Sequence, residues 1–258
     1  MKNDYLKFVN SMSNITKSEA EDYIKWTNKF KGLHMNNTYD IMSQHGEIKG
    51  MTPNIVEERE MNIAVLDVFS RLMKDRIVFL GNAIDDQLSN IIVSQLLFLE
   101  NVDSESDITM YINSGGGSCY SGLSIYSAMS YIKPDVSTIT TGIAASMAYV
   151  LAVSGAKGKR GALPYARLMQ HQPLSGMKGS ASDLSINNRE VHKLKYELYE
   201  IIAHHTGNSI DKIYEDCDRD HWMRADEAKE YGAIDNILSR EDDFKPAPLS
   251  KNLWKRGM

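Results

Sequence analysis

Between Arg76 and His171 the chain alternates short apolar or β-branched runs with longer segments whose apolar residues recur at helical spacing. This alternation constrains the fold more than any other feature. Successive strands joined through helices become parallel neighbours in a sheet that the helices cover. Arg76–Gly81 (RIVFLG) reads as a buried strand stopped by glycine. Asp85–Glu100 opens on a capping aspartate and continues with helical periodicity. Asp107–Asn113 is the next strand, and after a glycine-rich turn a helix is expected over about 119–132. Pro134-Asp135 breaks that helix, Val136–Gly142 is a β-branched strand, and Ala145–Ser154 is small and apolar, as a buried helix would be. Ala166–His171 is a further strand. The expected fold class is α/β with parallel strands.

Ser182–His205 is a long amphipathic helix with Leu184, Ile186, Val191, Leu194, Leu198, Ile201 and Ile202 as its apolar positions. It is long and charged for a packing helix, which suits one that projects and meets another subunit. Upstream, residues 1–52 are polar and weakly periodic. They read as an arm or propeptide, with a capping box at Thr16-Lys17-Ser18-Glu19 before a short helix over about 17–30. Residues 53–240 carry the fold, and 241–258, with two prolines and mixed charge, form a tail.

Composition removes several function classes. With 42% hydrophobic and 24% charged residues, a globular core is expected and global disorder is not. A net charge of −5 argues against a partner made of nucleic acid. Two cysteines, Cys119 and Cys217, cannot build a disulfide framework or a four-cysteine zinc site, so no metal is expected. No run approaches the ~18 apolar residues of a membrane helix, and the N-terminus lacks a secretory apolar core. A cytoplasmic, reducing setting is the default.

Three places carry candidate chemistry. Ser114-Gly115-Gly116-Gly117-Ser118 follows a strand and precedes a helix, so its backbone N–H groups can face a phosphate or an oxyanion, or it is a plain tight turn. It is not a P-loop, because no Gly-Lys-Ser/Thr follows. Ser146, in Gly142-Ile143-Ala144-Ala145-Ser146-Met147-Ala148, sits at a strand-to-helix junction among small residues. It is a nucleophile beside free helix N–H groups or a helix N-cap, and spacing alone favours the cap. His171 ends a strand before Pro173, where a general base or a hydrogen-bonded rim histidine would sit. His204 and His205 are adjacent and make a poor metal pair, while His192 lies on the long helix. Asp216, Asp218 and Asp220 offer three carboxylates to orient a histidine, and spacing does not choose among them.

The segments FSRLMKDRIVFLG, DITMYINSGGGS, GIAASMA, GAKGKRGALP, MQHQPLSG and DRDHWMRADEAKEYGAIDNIL occur in this order. Together, from Pro53 to Leu238, they resemble the proteolytic subunit of the Clp protease. The resemblance implies a crotonase-like fold of repeated ββα units with a projecting handle helix. It implies a serine endopeptidase whose subunits form two stacked heptameric rings around a chamber, fed with unfolded protein by an AAA+ unfoldase. ATP is used by that partner, and the chain itself needs no cofactor. Position by position, it implies Ser146 as nucleophile, His171 as base, Asp220 as the third member, and the N–H groups of Gly117 and Met147 as oxyanion donors. It also implies that Asp218 and Arg219 reach across to the opposite ring.

The sequence departs from the family pattern at several points. Gly115 stands where a proline is usual, MQHQP replaces MIHQP, Ser175 replaces a glycine, and Ser180 and Ser185 replace longer polar residues of the handle. Two alternatives follow: a non-catalytic ring subunit paired with an active paralogue, and a crotonase-type acyl-CoA enzyme. The intact Ser146, His171 and Asp220 argue against the first, and the HQP motif against the second.

Overall fold

A computed structural model describes residues 54–59 and 62–240. The arm, its expected helix over 17–30 and the tail lie outside the described residues. The first described elements are β1 (Asn54–Arg59) and β2 (Asn62–Asp67), an antiparallel pair. Then follow α1 (Val68–Lys74), β3 (Ile77–Leu80), α2 (Asp86–Val102), β4 (Ile108–Ser114), α3 (Cys119–Tyr131) and β5 (Val136–Ala145). The chain continues through α4 (Met147–Val153), β6 (Arg160–Ala162), β7 (Arg167–Gln170), α5 (Ala181–Thr206) and α6 (Ile210–Asp216). It ends in β8 (His221–Arg224), α7 (Ala225–Glu230) and β9 (Asn236–Ile237).

Seven strands make the main sheet, in the order β3-β4-β5-β6-β9, with β7 pairing β5 and β8 off that path. Every pairing in it is parallel except β7 with β8. The strands read from the sequence, β3, β4, β5 and β7, pair in parallel with one another, and the antiparallel β8 carries no strand reading in the sequence. β5 is long enough to fork: Thr138–Thr140 pair with β6, and Ile143–Ala145 pair with β7.

The helices begin where the sequence supplies caps. The Asp85 side chain accepts the Leu88 N–H, and the Ser118 hydroxyl accepts the Ser121 N–H. Ser121 Oγ also donates to Asp86 at 2.6 Å, joining the starts of α2 and α3. In β4 the inward residues Ile108, Met110 and Ile112 are fully buried. Each contributes about 1.5–3 kcal/mol through removal from water. The outward Asn113 instead accepts the Ile143 N–H and ties β4 to β5 just below the site.

α5 buries Leu194, Leu198, Tyr199 and Ile202, whereas Leu184 and Ile186 in its first half stay exposed. That half projects from the core. Ser180, one of the short replacements, caps this helix by accepting the Asp183 N–H.

Candidate active site

Ser146 stands at the joint between β5 and α4. Its N–H donates to the Met169 carbonyl of β7 at 2.9 Å, and its carbonyl accepts the Tyr149 N–H at 3.0 Å. Sheet and helix thus hold the residue from both sides at φ 55, ψ −124. A non-glycine residue held in such a region costs on the order of 1–3 kcal/mol and persists where its surroundings over-determine it. Ser146 occupies the N-cap position, but its hydroxyl makes no cap hydrogen bond. It lies 2.8 Å from Nε2 of His171 instead. The side-chain cap favoured by spacing is not what forms.

His171 is the first residue beyond β7. Its Nδ1 is 3.1 Å from Oδ1 of Asp220. With the proton on Nδ1, the ring donates to the carboxylate and Nε2 accepts from the Ser146 hydroxyl. The β7–β8 register explains the juxtaposition. Gln170 pairs with His221, so the residues one step outward, His171 and Asp220, meet across the pair. The His171 side chain is 16% exposed and that of Asp220 is 58% exposed.

The other two carboxylates have different surroundings. Asp216 ends α6, receives Lys212 Nζ at 2.5 Å and accepts the Tyr231 hydroxyl at 2.6 Å. Burial pushes its carboxyl up, but the hydrogen bonds from Lys212 and Tyr231 prevail and hold it below the ordinary carboxylate range. Asp218 is exposed and lies 3.7 Å from Nε of Arg219, which is 91% exposed.

The glycine-rich turn lies against the serine. The Ser114 hydroxyl donates to the Asn82 carbonyl at 2.6 Å and accepts the Gly116 N–H at 3.1 Å. Gly116 takes φ 94, and a Cβ there would stand 2.8 Å from Ser146 Cβ and 2.9 Å from Met147 N. Only a bare glycine permits that approach. Among the described residues, neither the Gly117 nor the Met147 N–H donates to a backbone carbonyl. Both remain free for an external acceptor.

A cavity of about 20 Å³ opens beside Ser146 and His171. Met147, Val150, Pro173, Leu198 and Ile202 line it, together with Cys119. Burial raises the Cys119 thiol and pushes the buried Cys217 thiol up to about 12, so neither competes as a nucleophile at neutral pH. Gln170 lines the same cavity, and its Nε2 donates to the Tyr231 hydroxyl at 2.8 Å. Gln170 is marked in the sequence only by MQHQP standing in place of MIHQP. Nothing local marks Tyr231, which bonds residues 15 and 61 positions away.

Acyl transfer is the chemistry that suits this arrangement, because attack by the hydroxyl needs a base within reach and donors for the oxygen that gains charge. Comparison with known proteins agrees. The Clp protease family model matches residues 58–241. A relative from Bacteroides fragilis is 58% identical over 201 residues, which cover 78% of this chain and 96% of the relative. One from Bacteroides thetaiotaomicron is 56% identical over 201 residues, covering 78% and 90%. One from Porphyromonas gingivalis is 56% identical over 190 residues, covering 74% and 86%. All three are named ATP-dependent Clp protease proteolytic subunit. The chain belongs to the Clp protease family and is a peptidase with the crotonase-like α/β fold.

Proposed function

We propose that the chain is the serine-type proteolytic subunit of an ATP-dependent protease. His171 Nε2 takes the Ser146 proton, and Oγ attacks the scissile carbonyl. The Gly117 and Met147 N–H groups receive the oxyanion. His171 returns the proton to the leaving amine, an acyl-enzyme remains, and water activated by the same histidine releases it. Asp220 holds the imidazole in the tautomer this requires. The carrying observation is the 2.8 Å contact between His171 Nε2 and Ser146 Oγ, with Asp220 on the far nitrogen. The cavity beside the serine is lined mostly by apolar side chains.

The subunits assemble as two stacked heptameric rings in the cytoplasm, and an AAA+ unfoldase supplies unfolded chain and consumes the ATP. No metal or cofactor enters the reaction. Support for assembly comes from the exposed Leu184 and Ile186 on the projecting half of α5. Asp218 and Arg219, exposed one turn from the site, are the residues that reach the opposite ring.

A fluorophosphonate probe tests the chemistry. Stoichiometric labelling of the purified protein at Ser146, lost together with peptide hydrolysis in Ser146→Ala and His171→Ala, is expected. Residual turnover above a few per cent in either variant counts against this assignment.

A further inference from the structure

Asp220 is poorly held for a residue on which a histidine depends. Its carboxylate is more than half exposed, and among the described residues His171 is its one hydrogen-bond partner. Its position is therefore inherited from the backbone on either side of it, β8 from His221 onward and the turn that precedes it, Cys217 to Arg219. One side chain ties that turn to the histidine's own strand.

Gln172, next to His171, makes three contacts. Its backbone N–H donates to the Cys217 carbonyl at 2.8 Å. Its Nε2 donates to the Asp218 carbonyl at 3.0 Å. Its Oε1 accepts from Lys195 Nζ of α5 at 3.2 Å. The amide has one workable orientation. Turned over, it would set oxygen against the Asp218 carbonyl and NH₂ against the Lys195 ammonium. Lys195 is itself fixed, 5.4 Å above the Tyr199 ring and 5.1 Å above the Tyr214 ring. Pro173 adds a further restriction by favouring extended backbone at Gln172.

These contacts lie just beyond the last β7–β8 pair, Gln170 with His221, where the sheet no longer sets the spacing of the two chains. We propose that Gln172 is a positioning residue for the peptidase reaction. It acts through Asp220, fixing the turn that carries the carboxylate against His171, with Lys195 orienting its amide. The inference rests on the Ser146–His171–Asp220 reading given above.

Because Gln172 acts through Asp220, its effect must vanish when Asp220 is gone. The test measures steady-state hydrolysis of a fluorogenic peptide and thermal unfolding for the full-length assembled protein. The variants are Gln172→Ala, Gln172→Glu, Lys195→Met, Asp220→Ala and the Gln172→Ala/Asp220→Ala double. Gln172→Ala should lower kcat about tenfold, the scale of one lost hydrogen bond, with KM within about twofold. Gln172→Glu keeps the acceptor for Lys195 but faces the Asp218 carbonyl with oxygen, and should fall as far. Lys195→Met should lose about threefold, because it loosens the amide without removing it. The double variant should match Asp220→Ala within about twofold.

A further tenfold loss in the double, a change confined to KM, or normal kcat in both Gln172 variants would each overturn the inference. If Gln172→Ala unfolds early, Gln172→Glu and Lys195→Met carry the same comparison. Full activity in Asp220→Ala would reject the underlying triad as well. An inactive Asp220→Ala beside normal Gln172 variants would reject the role of Gln172 alone.

Discussion

Adding one methyl group at Gly116 should disable the enzyme, whereas the same change at its neighbour Gly115 should be silent. The Gly116 Cβ would stand 2.6 Å from the Ala145 carbonyl oxygen and 2.8 Å from Ser146 Cβ. Ordinary van der Waals contact begins at 3.4 Å, so the turn must retreat from the serine by roughly 0.6–0.8 Å. The obstacles are backbone and the nucleophile's own Cβ, which have no flexible end to swing aside. Positive φ adds about 1–2 kcal/mol for any residue with a Cβ, and overpacking adds about 1–3 kcal/mol. Retreat of the turn carries the Gly117 N–H away from the point where the oxyanion forms. Misplacement on the order of 1 Å costs about a hundredfold in rate. At Gly115 nothing lies within 4 Å of the added Cβ, and φ is outside the left-handed range. Peptide turnover, the rate of fluorophosphonate labelling and the unfolding temperature should be measured for both variants. Gly116→Ala with more than half of normal turnover, or Gly115→Ala equally impaired, refutes the assignment of the turn to the oxyanion site.

Gly115→Pro should raise stability by about 0.4–1 kcal/mol with unchanged activity. The position has open space and follows the extended Ser114, and calorimetry beside a peptide assay measures both. Arg160→Met should cost about 3–5 kcal/mol by stranding Asp235. Arg160 is buried and donates to both carboxylate oxygens at 2.7 and 2.9 Å, so equal unfolding temperatures would contradict that role. Hydrogen bonds from Arg160, against an opposing effect of burial, lower the Asp235 carboxyl below its ordinary 3.8. The folded-state pKa lies under the unfolded one, so this stabilisation is present above 3.8 and is lost as pH falls through the folded pKa. Asp235→Asn should accordingly flatten the acid limb of stability against pH. Arg219→Ala and Asp218→Ala should each yield free heptamers with little peptidase activity by analytical ultracentrifugation, and particles of full size with normal turnover would dismiss a ring-stacking role.

The long elements were legible because their signals are local. Asp85 caps where expected, α3 spans Cys119–Tyr131 against an expected 119–132, and α5 spans Ala181–Thr206 against an expected 182–205. The β5–α4 boundary was not legible. Ala145 reads as the start of the helix but ends the strand, because alanines suit both and the β7 pairing decides. β6 (RGA) and β8 (HWMR) carry no strand pattern, and each includes an arginine that is buried only because the fold surrounds it. Ser146 and His171 are marked by their junction positions, although spacing alone favours a cap for Ser146. Asp220 did not, because its partner is 49 residues away and a register between two strands selects it. A string of acidic residues holds no local record of that register. The family resemblance named Asp220 where the residues alone left three choices.

The one antiparallel strand of the main sheet, β8, has a functional consequence. In a parallel sheet, ligand sites gather at the carboxyl ends of the strands. Here the turn after β4, Ser146 after β5 and His171 after β7 all leave at that edge. A parallel strand could add a further residue only from its own end. β8 runs the other way, so its beginning lies at the same edge, and the residue just before it meets the residue just after β7. The reversal thus brings a carboxylate from the preceding turn to the far side of the imidazole, opposite the serine. It also leaves that carboxylate on a turn rather than in the sheet, with over half of its surface in solvent. Contacts outside the sheet must then hold it in register with the histidine, and the Gln172 bonds to Cys217 and Asp218 lie where such support is needed.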